Sequence, residues 1–121
     1  MPQEHRTLLV TYALPYANGL LHLGHLTGLI QTDIWVRLQK LLGHHCLYVC
    51  GADGHGTPIM IQADKLNISP EELIENTRKE QQQDISRFLV ECDNYYTTHS
   101  PENKELVESI FKEHLAQGKV F

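Results

Sequence analysis

Two histidines, His22 and His25, stand three residues apart around Gly24, and a helical apolar pattern begins where they end. On one helical turn that spacing puts both imidazoles on the same side. They follow a short apolar run, Leu8 to Val10, and the loop Ala13-Leu-Pro-Tyr-Ala-Asn-Gly19. Where a strand hands over to a helix, free backbone N–H groups and the positive end of the helix receive phosphate. Gly24 has no side chain, so a flat ring can approach the backbone there. The arrangement reads as a nucleotide site built for phosphate chemistry. A second loop, Gly51-Ala-Asp-Gly-His-Gly56, sets the carboxylate of Asp53 and the ring of His55 among three glycines. In an open parallel sheet a ligand sits beyond the carboxyl ends of the strands, so loops on neighbouring strands would face each other across one crevice. One then offers Ala13, Leu14 and Tyr16 as an apolar and aromatic lining, together with imidazole donors. The other offers a carboxylate, which opposite a small apolar wall suits the ammonium of an apolar amino acid. Joining an amino acid to a nucleotide would use both.

The elements that must hold these loops are legible in outline. Thr7 to Tyr12 is a continuous apolar run and reads as a short strand buried on both faces. Leu23 to Leu42 reads as a helix, with Leu23, Leu26, Ile30, Ile34, Leu38 and Leu41 recurring every three or four residues and Gly43 as its stop. His44 and His45 read as surface residues before a second run, Cys46 to Cys50. Strand, helix and strand make one βαβ unit, whose strands are parallel and whose connection is right-handed. Thr57 is expected to cap a helix with Pro58 at its first position, ending near Leu66 with Asn67 as a left-handed stop. Ser69-Pro-Glu-Glu72 is a capping box opening a long helix to about Val90. Leu73, Ile74, Ile85, Phe88 and Leu89 should face inward. The polar middle, Arg78 to Asp84, should be solvated, with Gln81 to Asp84 as an exposed face. Asp93 to Thr98 reads as a short strand. Ser100 and Pro101 start a last helix whose stripe is Leu106, Val107, Ile110, Phe111 and Leu115, and Gly118 ends it.

Composition narrows the class. The chain has 121 residues, 41% hydrophobic and 21% charged, with a formal net charge of −5. That suits one small domain with a modest core. A basic stripe, the usual mark of an independent nucleic-acid surface, is missing. Apolar runs fall well short of the ~20 residues that span a bilayer, and the polar start, Met1 to Arg6, does not resemble a secretory signal. A cytoplasmic protein is expected. The three cysteines, Cys46, Cys50 and Cys92, are too few and odd in number for a disulfide framework, and no second close ligand pair supports zinc. They read as buried free thiols.

Ala13-Leu-Pro-Tyr-Ala-Asn-Gly19 followed by His22-Leu-Gly-His25 resembles the start of the methionyl-tRNA synthetase family of class I aminoacyl-tRNA synthetases. Gly51-Ala-Asp-Gly-His-Gly-Thr-Pro58 and Asp93-Asn-Tyr-Tyr-Thr-Thr-His-Ser100 resemble later segments of that family, in the expected order. The likeness runs from about Leu8 to Gly118. The histidine pair is common to class I synthetases and related nucleotidyltransferases, whereas the Ala-Leu-Pro-Tyr-Ala-Asn-Gly lead-in is far narrower. The resemblance implies an α/β fold, a Rossmann-like parallel sheet with flanking helices, forming the first half of a class I catalytic domain. It implies that Ala13, Leu14 and Tyr16 line a methionine pocket and that Asp53 holds the methionine ammonium. It implies that His22, Gly24 and His25 bind ATP, with both histidines catalytic in adenylate formation.

The family's lysine-rich Lys-Met-Ser-Lys-Ser loop, its zinc-binding insertion and its helical anticodon-binding domain have no counterpart here. On the resemblance, residues 1–121 would be the N-terminal part of the catalytic domain, ending near the start of the connective insertion and inactive alone. Methionine, ATP with Mg2+, and tRNA through regions beyond this chain would be its ligands. Zinc would belong to the downstream insertion, and the C-terminal half would be a partner. Two other readings use the same residues: a small nucleotidyltransferase that works without tRNA, and an interaction module that keeps the fold without the chemistry. Blander roles also exist for single residues. Asp53 could be a turn former, Tyr16 a core aromatic, and His55 either a loop strut or a ligand contact. His5, His99 and His114 read as structural or solvated.

Overall fold

Strands and helices interleave through residues 5–121, the part of the chain that the computed structural model describes, with two helices in succession between the second and third strands. In chain order the elements are β1 (Thr7–Thr11), α1 (Leu23–Leu41), β2 (His45–Ala52), α2 (Thr57–Leu66), α3 (Pro70–Arg87), β3 (Asn94–Thr97) and α4 (Pro101–Ala116). Among the described residues the strands form one sheet in the order β1-β2-β3. Both pairings are parallel, with Leu9 opposite Leu47 and Cys50 opposite Tyr95. The βαβ expectation is therefore met, and all three carboxyl ends lie on one edge. Asn67 adopts the left-handed conformation (φ 56°) after α2, and Ser69 Oγ accepts the Glu72 N–H at 3.1 Å to start α3.

One face of the sheet makes the core. Cys46, Tyr48 and Cys50 alternate inward from β2 and meet Leu29 and Val36 of α1, Ile85 of α3, and Val90. Apolar burial of this kind is the main stabilising term for a domain of this size. The three thiols are free, with Cys46 and Cys50 buried. Burial pushes the Cys92 thiol up to about 12 and raises Cys50 as well, so both stay protonated and inert.

Several expectations about packing are corrected. The strands are not buried on both faces: Leu9 is 69% exposed and Leu47 lies on the same open side. In α1 the buried stripe is Leu26, Leu29, Asp33, Val36 and Gln39, while Leu23, Ile34 and Leu41 point outward. Apolar residues cover much of this helix, so the spacing admits more than one stripe. Asp33 decides between them by an interaction that hydrophobicity does not encode. Its carboxylate takes Arg37 Nε at 2.6 Å and the Glu91 N–H at 3.0 Å, while Arg37 Nη2 donates to Leu89 O at 2.7 Å. That clamp holds the reversal after α3, where Leu89 has a φ of 58°. The helix accordingly stops at Arg87, and Phe88 and Leu89 face solvent. His44 is buried rather than superficial, because its Nδ1 accepts the Arg6 N–H at 3.3 Å. None of the α4 residues is buried, so its apolar stripe is uncovered.

Among the described residues no helix is long and apolar enough to cross a membrane.

Candidate functional site

The loops that follow β1 and β2 are stitched together by their backbones. Asp53 N–H donates to Pro15 O and Ala17 N–H donates to Asp53 O, each at 2.8 Å. These bonds make a parallel bridge between Tyr16 and Asp53, an isolated continuation of the β1–β2 pairing. Under the bridge Pro15, Ala17 and Ala52 are fully buried, with Ile59, Ala63, Leu73 and Ile74 completing a second small core. The two loops thus lie side by side at the carboxyl edge of the sheet, joined at Tyr16 and Asp53. Ala13 and Leu14 are exposed on the approach, and Tyr16 and Asp53 are half-buried.

Gly56 makes this closeness possible. It caps α2 with a φ of 125°, a region closed to side-chain-bearing residues, and a Cβ there would lie 2.6 Å from the Tyr16 hydroxyl. The cap is therefore Gly56 and not Thr57. Thr57 becomes the first helical residue, and Pro58 follows where its missing N–H costs nothing. Beyond the bridge, Gly54 N–H donates to Thr98 Oγ1 at 2.8 Å and a His55 ring nitrogen, Nε2, donates to Thr98 O at 3.2 Å. His55 acts here as a strut between the glycine loop and the end of β3, with the His99 ring 5.3 Å away.

His22 is the N-cap of α1 and His25 its third residue. Their rings stack, with centroids 3.7 Å apart and planes 20° from parallel. The His22 backbone N–H donates to His25 Nδ1 at 3.4 Å. An accepting Nδ1 puts the proton of the neutral ring on Nε2, so His25 presents an N–H donor away from its own backbone. A Cβ at Gly24 would lie 3.0 Å from His22 Cε1, so the ring that closes on Gly24 is that of His22. Burial, and then the adjacent His22 ring, hold His25 below the usual histidine value of 6.5. The stack therefore enters neutral solution with His25 uncharged, a donor through Nε2 only.

That shift has a measurable sign. Titrating the ring protons by NMR should give a midpoint for His25 below 6.5. His22→Ala should move it upward but leave it below 6.5, because burial is the larger cause. The neutral ring is favoured by folding, so its contribution to stability is full above pH 6.5 and declines as pH falls from there toward the folded-state midpoint. A midpoint at or above 6.5 in the wild-type chain would contradict the burial of the His25 ring.

Gln81 was hidden by its sequence context. It lies in the polar run of α3 expected to be solvated, yet it is 1% exposed. Its Nε2 donates to Tyr16 O and to Gly19 O, each at 3.1 Å, and its Oε1 accepts the Tyr95 hydroxyl at 3.0 Å. The only hint in the sequence is a glutamine one or two helical turns from Ile74, Thr77 and Ile85, the residues of the buried face. Among the described residues no group of three His, Cys, Asp or Glu side chains converges as a metal site.

Comparison with known proteins agrees with this geometry. The family described as tRNA synthetases class I (M) matches residues 8–121. Methionine–tRNA ligases of Neisseria gonorrhoeae and Neisseria meningitidis are each 53% identical over 115 residues, 95% of this chain. The chain spans 17% of the length of these curated relatives. Among solved structures, Mycobacterium tuberculosis methionyl-tRNA synthetase in complex with methionyl-adenylate superposes with a TM-score of 0.88 at 21% identity, over 95% of this chain and 22% of that one. The LeuRS of Agrobacterium radiobacter, in a ternary complex with tRNA and LeuAMS, gives 0.88 at 22% identity, over 97% of this chain and 15% of that one. At such identities these two likenesses speak for the fold, a class I synthetase catalytic fold. With its signature loops paired and nearly its whole length matched, the chain belongs to the class I (M) family of tRNA synthetases.

Proposed function

We propose that this chain is the methionine-activating, N-terminal part of a cytoplasmic methionine–tRNA ligase. The observation that carries the reading is the 53% identity over 115 residues to two enzymes of that name. The paired loops support it chemically. In adenylate formation a carboxylate oxygen of methionine attacks the α-phosphorus of ATP. The bond from phosphorus to the bridging oxygen breaks, and pyrophosphate leaves with the electron pair. Charge crowds onto the α-phosphate oxygens as this happens. His22 and His25, at a helix start, are donors already in place for those oxygens, and fixed donors act mainly on the transition state. Gly24 keeps the backbone low beside the nucleotide. Asp53 holds the methionine ammonium, and Ala13, Leu14 and Tyr16 line the side of the paired loops where a flexible thioether packs well.

In the second step a ribose hydroxyl of tRNA attacks the adenylate carbonyl and AMP leaves. With a net charge of −5 and no basic stripe, this chain offers no backbone platform for RNA, so tRNA is assigned to other regions of the ligase. Magnesium would enter with ATP, and no step here runs through a metal held by these residues. Zinc is assigned to the downstream insertion.

The test replaces the matching segment of the Neisseria gonorrhoeae ligase by residues 8–121 and measures ATP–pyrophosphate exchange. Exchange that requires methionine supports the reading. A folded chimera whose exchange proceeds equally without methionine would favour a nucleotidyltransferase, and no exchange would favour an interaction module. The 121-residue chain by itself is expected to charge no tRNA, since groups that act as a unit fail together when part is absent. Aminoacylation by purified 1–121 above background would contradict this.

A further inference from the structure

We infer that Gln81 is a positioning residue of the paired loops: its side-chain amide clamps both ends of the Tyr16–Gly19 segment and so sets that wall against the Asp53 loop. The kinetic part of this inference rests on the methionine reading proposed above. The geometric part does not.

The amide is used to near capacity. Both of its donor hydrogens are spent, one on Tyr16 O and one on Gly19 O, while its oxygen accepts from Tyr95 of β3. Three pieces of chain, α3, β3 and the loop after β1, therefore meet at one side chain that is 1% exposed. The two carbonyls sit at functional ends of the loop. Tyr16 is the residue bridged to Asp53, and its hydroxyl lies over Gly56. Gly19 stands three residues before His22, where the chain turns into the stacked pair. Loop carbonyls turned inward need donors, and a double donor reaching from a packed helix supplies them without a bound water. An aliphatic side chain of similar size would fill the same space and escape the cost of burying an amide. It would leave two carbonyls unpaired and the loop free to shift. The opposite side of the same segment is already fixed by the Asp53 bonds. Gln81 completes the restraint from below, so methionine meets a wall that is formed before it arrives.

Two experiments test this on Gln81→Leu, Gln81→Glu and Tyr95→Phe. The first measures amide hydrogen exchange in the 121-residue chain. In Gln81→Leu, protection of the Ala17 and Asp53 amides, which form the bridge between the loops, should fall about tenfold or more. The Tyr48 amide, held by Asp93 at 2.7 Å, should keep its protection. Tyr95→Phe removes only the accepted bond and should affect Ala17 and Asp53 less. Unchanged protection at Ala17 and Asp53, or equal loss at all three amides, overturns the inference.

The second measures exchange kinetics in the chimera. Gln81→Leu should raise the KM for methionine about tenfold or more and leave the KM for ATP within about twofold. Gln81→Glu sets a carboxylate against two carbonyls, and protonation returns one donor. Its KM for methionine, divided by the wild-type value at each pH, should fall between about pH 8 and about pH 6. A purely space-filling role would not produce that trend. If wild type needs methionine and Gln81→Leu leaves its KM unchanged, the positioning role fails while the methionine reading stands. If wild type shows no methionine-dependent exchange, the methionine reading fails and the amide protection alone decides the place of Gln81.

Discussion

Replacing His22 or His25 by alanine in the active ligase should slow methionine-dependent ATP–pyrophosphate exchange by about 10²–10³-fold, the usual effect of losing one donor to a developing oxyanion. The expectation follows from placement. His22 caps α1, and His25 stacks on it at 3.7 Å with its Nδ1 taken by the His22 backbone N–H. The free Nε2–H of His25 is thereby aimed by a bond that does not change during reaction, which is what makes such a donor act on the transition state. The two substitutions should not be equivalent. His22→Ala removes a ring but keeps the backbone N–H that orients His25. His25→Ala removes the oriented donor and leaves His22 without its stacking partner. The double variant should fall well short of the product of the single losses, because the rings act as a pair. The KM for methionine should change little in either. Exchange at wild-type rates in both single variants would remove the histidine pair from the chemistry.

How much of this was legible in the sequence differs by element. The crossover β1-α1-β2 was readable because its signals are local: an apolar run, a helical period, and Gly43 at a φ of 84° after the helix. The caps at Ser69 and Ser100 were readable for the same reason. The adjacency of the two loops was readable, since parallel neighbours must bring their carboxyl ends together. What was not readable is which side of an element faces in when long-range polar bonds decide it. Asp33 is a charged residue in the middle of a helix, and only the distant Glu91 N–H and Arg37 explain its burial. Gln81 belongs to a polar run of α3, and its partners Tyr16 and Gly19 lie more than 60 residues away. His44 is buried because strand pairing brings Arg6 beside it. For α4 the pattern was right and its inference incomplete. The stripe of Leu106, Val107, Ile110, Phe111 and Leu115 exists, but each of these residues is more than half exposed. Amphipathicity states that a face can be buried, and says nothing of what buries it.

Asp53→Ala should weaken methionine by about 2–5 kcal/mol, the cost of leaving one partner of a closed charge pair alone. That is roughly 30- to several-thousand-fold in affinity, while ATP should change by no more than about threefold. The separation between ligands follows from how Asp53 is built in. Its backbone N–H and C=O are both spent on the bridge to Pro15 and Ala17, and alanine retains both bonds. Among the hydrogen bonds of the described residues none ends on the Asp53 carboxylate, whereas those of Asp33 and Asp93 are each held by a backbone N–H. A half-buried carboxylate with its lone pairs free, beside Tyr16 in the one place where the two loops join, is available to an ammonium. Asp53→Asn separates charge from shape. Asparagine retains the turn-forming capacity of aspartate and loses only the charge, so it should follow alanine in methionine binding. If Asp53 serves as a turn former instead, asparagine should behave as wild type, and alanine should lose both ligands together as the Tyr16 bridge loosens. Calorimetric titration of methionine and of ATP into each variant, with the melting temperature as control, distinguishes the two roles. Equal losses for methionine and ATP, or full methionine affinity in Asp53→Asn, would reassign Asp53 from the ligand to the loop.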